Sequence, residues 1–152
     1  MNFYLGVDPG FTGAWGLIDH HGNYQSCGDM LNNKKHILTR MVHAEISQAI
    51  DRQDVVGVIE DVHSMPSQGV SSSFKFGMAF GASIAIMERL NCPWEFVTPQ
   101  KWKKDMMLTS DKNLSLELAR ELWPTAPLKL QKHNGRAEAL LMAEWLRQGD
   151  LN

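Results

Sequence analysis

Residues 3–8 read Phe-Tyr-Leu-Gly-Val-Asp, an apolar run that stops on an acid and is followed at once by Pro9-Gly10. Pro-Gly turns the chain, so the run predicts a strand with Asp8 at its end. Residues 12–18, Thr-Gly-Ala-Trp-Gly-Leu-Ile, predict a second strand, and Asp19-His20-His21-Gly22 a hairpin link to a third near 23–30. Three sequential strands with tight links predict an antiparallel meander. Beyond them the period changes. Leu38, Val42, Ile46 and Ile50 recur every four residues and predict an amphipathic helix within 34–52. Residues 55–60, Val-Val-Gly-Val-Ile-Glu, form a second apolar run ending in an acid, apolar enough for a strand buried on both faces of a parallel sheet.

The rest of the chain is read in the same way. Residues 64–73 are rich in Ser, Pro and Gly and predict a loop. Residues 74–90 predict a helix, with Gly77 and Gly81 suited to close packing on the sheet. Residues 94–98 predict a fifth strand, and Pro99 suits the first turn of a short helix over 99–107. Residues 112–123 predict another helix, capped by Ser110 or Asp111, with Leu114, Leu118 and Leu122 as its stripe and Pro124 and Pro127 beyond its end. A last helix is expected over 134–148, closed by Gly149. The order predicts a mixed α/β sheet covered by helices.

A length of 152 residues predicts one domain, and a hydrophobic share of 43% suffices for a packed core. No uninterrupted apolar run reaches the roughly 18 to 20 residues of a membrane helix, and Met1-Asn2-Phe3-Tyr4 does not open like a secretory leader. The expectation is a cytoplasmic protein without a membrane partner. Cys27 and Cys92 are too few and too far apart for a disulfide framework, and read as a buried reduced pair. The net charge of −2 hides a division. Residues 1–98 carry six basic and ten acidic side chains, 99–136 carry eight and four, and 137–152 carry one and three. The basic middle segment suits a polyanion, and equally a solvated lysine-rich surface.

Asp8 and Glu60 each end an apolar strand, and Glu138 lies early in the last helix, with Asn134 one turn before it on the same face. Each acid alone has an ordinary explanation in a turn, a solvated strand end or a helix dipole. Together they point to a crevice at the strand ends, where converging carboxylates repel unless a cation joins them. Hard oxygen donors select Mg²⁺ or Mn²⁺, and two such ions about 3.5–4 Å apart suit phosphodiester hydrolysis.

Gly6-Val7-Asp8-Pro9-Gly10 with Thr12-Gly13, then Val58-Ile59-Glu60, then Asn134-Gly135-Arg136-Ala137-Glu138-Ala139-Leu140-Leu141 resembles the RuvC-type Holliday junction resolvases, especially their short phage and prophage-like members. The likeness spans nearly the whole chain. It implies an RNase H-like fold of five strands, the first three antiparallel. It also implies a homodimeric, Mg²⁺-dependent endonuclease that cuts two opposed strands of a four-way junction, with 5′-phosphate ends. Asp8 and Glu60 match the family's first two catalytic acids and Glu138 its last. Asn134 stands where the family usually carries an acid, commonly Asp. An amide oxygen can touch a metal but brings no charge, so a catalytically impaired junction-binding protein, by divergence or by engineering, is the alternative. His133 is a substitute ligand or a surface histidine. Gly-x-Asp-x-Gly also occurs in actin-like ATPases and sugar kinases, but these need a second domain that 152 residues do not supply.

For DNA contacts, Lys101, Lys103 and Lys104 surround Trp102, and Lys112, Lys129, Lys132 and Arg136 follow. Lysines grip phosphates without reading sequence. Trp102 is open to two readings, a base-stacking ring or a core residue. The loop after Glu60 matches the region that enters the junction in such resolvases, and Phe74 is the candidate wedge between bases. Phe76 and Met78 are expected to pack inward. Residues 74–90 carry more apolar area than one helix stripe requires, which suits a dimer interface and a buried central helix alike.

Overall fold

The computed structural model describes residues 2–150. Five strands are present: β1 (Asn2–Asp8), β2 (Ala14–Ile18), β3 (Tyr24–Asp29), β4 (Asp54–Glu60) and β5 (Trp94–Val97). Helices α1 (Thr39–Ile50), α2 (Val70–Arg89), α3 (Pro99–Asp105), α4 (Lys112–Leu122) and α5 (Asn134–Asp150) follow in chain order, with a 3₁₀ turn at Gln131–His133 before α5. The sheet order is β3-β2-β1-β4-β5. β1, β2 and β3 pair antiparallel, and β4 joins β1 and β5 in parallel. The meander and the buried parallel strand are as expected.

Alternation along the strands sorts the core into two layers. Leu5, Val7, Trp15, Leu17, Val55 and Ile59 face α1 and α2, where Val42, Ile46, Ile86 and Met87 meet them. Tyr4, Ile18 and Val58 face the other way, toward Trp102 on α3, Leu116 on α4, and Leu140, Leu141 and Leu146 on α5. Asp8 and Glu60 lie in phase with Tyr4 and Val58. Their side chains therefore belong to the α5 face.

Contact between α5 and the sheet depends on Gly6 and Gly16. A Cβ on Gly6 would lie 1.9 Å from the Ala139 carbonyl oxygen, and one on Gly16 2.7 Å from Leu140 Cγ. No larger residue fits either position without moving the helix. These glycines set α5 directly on β1 and β2 and bring Glu138 to the strand ends.

Several expectations are corrected. α2 starts at Val70, so the end of the expected loop is helical. Gly77 and Gly81 do not pack on the sheet; a Cβ on either would meet nothing within 4 Å. Met78 is 37% exposed, and Phe76 is only half-buried. α2 is also long and apolar enough, by length and composition, to cross a membrane. Ser, Gly and Ala lengthen its weakly apolar stretch between the larger apolar residues. Here it docks through Ala79, Ser83, Ile86 and Met87. On α4 only part of the expected leucine stripe faces inward: Leu118 packs half-buried against the core, Leu114 and Leu122 are exposed, and Ser115, Leu116 and Ala119 are buried. Gly149 lies inside α5 and does not end it. Cys27 and Cys92 are free thiols, each half-buried.

Candidate active site

β1 and β4 run side by side with Val7 opposite Ile59, so the next residues, Asp8 and Glu60, end adjacent strands on one face. After Asp8 the chain turns sharply through Pro9-Gly10, where Gly10 has φ +122° and its carbonyl accepts a hydrogen bond from the Gly13 amide. α5 lies across the same face. Glu138 is 5% exposed, and a Cβ on Gly135 would sit 3.4 Å from Asp8 Oδ2. The three acids, far apart in sequence, come within electrostatic reach of one another at the strand ends.

Electrostatics records the crowding. Burial, then the neighbouring carboxylates of Glu60 and Glu138, hold the Asp8 carboxyl well above the usual range. Burial also raises Glu60, against the effect of a hydrogen bond from Trp102. Lys103 and Lys112 oppose both shifts through space. Lys103 pairs with Glu138: its Nζ lies 3.3 Å from Glu138 Oε1. That buried oxygen has no partner in hydrogen-bond geometry. Three hard carboxylates, one with an unsatisfied buried oxygen, are chemically suited to a divalent cation. Among the described residues no three acid, histidine or cysteine side chains are already grouped closely enough to hold one ion.

Trp102 requires a correction. It is fully buried, and its indole Nε1 donates a 2.7 Å hydrogen bond to Glu60 Oε2. A ring without exposed surface cannot stack on a base, so Trp102 supports the acidic centre from inside. Arg136 is also committed. It makes a two-pronged pair with Asp29, at 2.7 and 3.0 Å, and donates to the Pro127 carbonyl. The Arg136 guanidinium holds Asp29 below the usual carboxylate range. As a fixed brace between β3 and α5 it is a poor phosphate ligand. Asp29 gave no sign of this in sequence, since nothing local marks a partner 107 residues away.

The remaining basic residues stay outward. Lys101 pairs with Asp105 at 2.8 Å but is 62% exposed, and Lys104 is exposed. Lys112, Lys132, His133 and Asn134 line an open cleft of about 550 Å³ with Phe11 and Thr12. His133 Nδ1 accepts a hydrogen bond from the Leu130 amide, which ties one ring nitrogen to the 3₁₀ turn. Phe74 is 72% exposed, with Val70 and Met65 exposed before it.

No family model and no curated relative matches the sequence. Solved structures do. Thermus thermophilus RuvC in complex with a Holliday junction substrate superposes with a TM-score of 0.69 at 15% identity, over 100% of this chain and 97% of that one. A second Thermus thermophilus RuvC structure gives 0.67 at 18% identity, over 97% and 96%. The fold is that of RuvC. Full coverage in both directions means that the RuvC-type sheet and its covering helices account for essentially the whole chain. At this identity the likeness concerns backbone architecture, and residue roles rest on the geometry above.

Proposed function

We propose that this chain is a Mg²⁺-dependent, structure-specific endonuclease that resolves four-way DNA junctions as a homodimer, with Mn²⁺ able to substitute. The observation that carries the reading is the convergence of Asp8, Glu60 and Glu138 on one face of a RuvC fold, beside Lys103 and Lys112. One of the structures similar to it is described as bound to a Holliday junction substrate. Asp8, Glu60 and Glu138 would hold the metal, with the Asn134 amide as a weaker donor. When bound, such an ion supplies charge neutralisation and activates water. The chain's own residues do the rest. Lys101, Lys104, Lys112 and Lys132 grip phosphates around the centre. Lys103 exchanges its contact with Glu138 for the scissile phosphate. Hydrolysis adds water across the phosphodiester and leaves a 5′-phosphate and a 3′-hydroxyl.

A second reading, a junction-binding protein with impaired chemistry, is favoured by one observation. Asn134 brings no charge to a position beside the centre. Cleavage of a four-way junction and of linear duplex, each in Mg²⁺ and in Mn²⁺, separates the two readings. The nuclease reading expects paired cuts on the junction, none on duplex, and loss of cutting in Glu60→Gln. Asn134→Asp is expected to raise Mg²⁺-dependent cutting. Tight junction binding without cuts in either ion moves the assignment to the binding reading. Failure to bind the junction at all overturns both.

A further inference from the structure

α3 is seven residues long, and Trp102 is its one buried side chain. The helix therefore docks through the ring that touches Glu60. The indole is fully buried and cannot swing, and its N–H lies 2.7 Å from Glu60 Oε2. A glutamate on a strand end has three rotatable side-chain bonds; a fixed donor on one oxygen removes most of that freedom. The next residue, Lys103, reaches Glu138 from the same helix. Thus one short helix contacts two of the three acids through adjacent side chains. The fold does not demand this acceptor for an indole. Trp123 is also buried and donates at 2.9 Å to the Gly22 backbone carbonyl through a partly buried hydrogen bond, while Trp15 Nε1 is buried with no partner.

We propose that Trp102 is a positioning residue for Glu60: its indole N–H fixes the carboxylate's rotation and so prepares Glu60 as a metal ligand. The inference rests on the metal-dependent reading above. Partners of this kind behind a ligand are worth roughly 10- to 100-fold in metal affinity or activity.

The test replaces the indole with benzothiophene, through 3-benzothienylalanine at position 102, which keeps shape and apolar area and removes only the N–H. The same replacement at Trp123 is the matched control, since it deletes an indole hydrogen bond away from the acids. Mn²⁺ affinity by calorimetry is the first readout, and cleavage kcat against KM the second. The position-102 variant should bind Mn²⁺ at least roughly tenfold more weakly and lose kcat, with junction KM little changed. The position-123 variant should keep wild-type Mn²⁺ affinity. Trp102→Phe should share the first defect, and Trp102→His, which restores a ring N–H, should recover part of it. Wild-type Mn²⁺ affinity in the position-102 variant, or equal loss in both variants, overturns the inference and leaves the nuclease reading standing. A wild-type chain that binds no Mn²⁺ overturns the nuclease reading and the inference with it.

Discussion

Asp8 is held in a crowded site beside two further carboxylates, and burial and those neighbours together raise its carboxyl well above the usual range. In the unfolded chain it titrates as an ordinary aspartate. Between that range and the raised folded value the folded protein binds more protons than the unfolded one. Stability therefore falls as pH rises through this window, and the cost is complete above it. Asp8→Asn removes the charge and nearly keeps the shape. It is expected to raise the metal-free Tm, by about 2–4 °C for each kcal/mol relieved at this chain length. The same variant should lose cleavage and no longer gain stability from Mg²⁺. Thermal melts of both proteins with and without Mg²⁺ check this, and a lower metal-free Tm in Asp8→Asn would contradict it. Phe74 tests the opposite kind of residue. At 72% exposure it supports little of the fold. Phe74→Ala should leave stability within about 0.5 kcal/mol of wild type while junction cleavage falls, as expected of a wedge that unstacks bases. Unchanged cleavage would remove Phe74 from the mechanism.

Elements were legible where period and punctuation agreed. Asp8 and Glu60 could be placed because apolar runs ended on them, and two-residue alternation then put both on one face. The orientation of short helices was not legible. In α3, Trp-Lys-Lys reads equally as core or as surface, and only docking on β4 decides that Trp102 goes in and Lys104 out. On α4 three leucines at helical spacing suggested the inner face. Close approach to α5 instead favours the small Ser115 and Ala119 with Leu116, and leaves Leu114 and Leu122 exposed. Glycines show the same division. Gly77 and Gly81, four apart on a helix, face open space, whereas Gly6 within a strand is the true contact point of α5. Gly6→Ala should force α5 away from β1, because a Cβ there would lie 1.9 Å from the Ala139 oxygen. Overpacking of this sort costs about 1–3 kcal/mol or more. Denaturant unfolding should show that loss, and cleavage should fall further than stability because Glu138 moves with the helix. A variant with wild-type stability would mean that the sheet and α5 yield without cost.

On the scale of the molecule, the single chain leaves an apolar surface of α2 uncovered. Val70, Phe74 and Met78 are exposed along one side, with Gly77, Gly81 and Ala85 between and beyond them. Beside them, Phe80 and Trp94 gather around the half-exposed Phe96 at the outer strand β5, with ring centres 6.1 and 5.0 Å away. A four-way junction has two-fold symmetry, and paired cuts need two centres held in a fixed relation. A second copy seated on α2 beyond Phe74 through a self-complementary interface would provide that relation and cover the stripe from Gly77 to Ala85, leaving Phe74 open to DNA. Met78→Glu puts a charge in the middle of the stripe, at a position exposed in the single chain, so the fold itself should tolerate it. Wild type is expected to sediment as a dimer and Met78→Glu as a monomer with nearly unchanged Tm. On a cruciform plasmid, paired incision linearises the DNA, whereas a lone centre nicks it. The variant should therefore shift products from linear to nicked, and raising its concentration should restore linear product only in part. A monomeric Met78→Glu protein that still linearises the plasmid would show that paired cutting does not depend on this face.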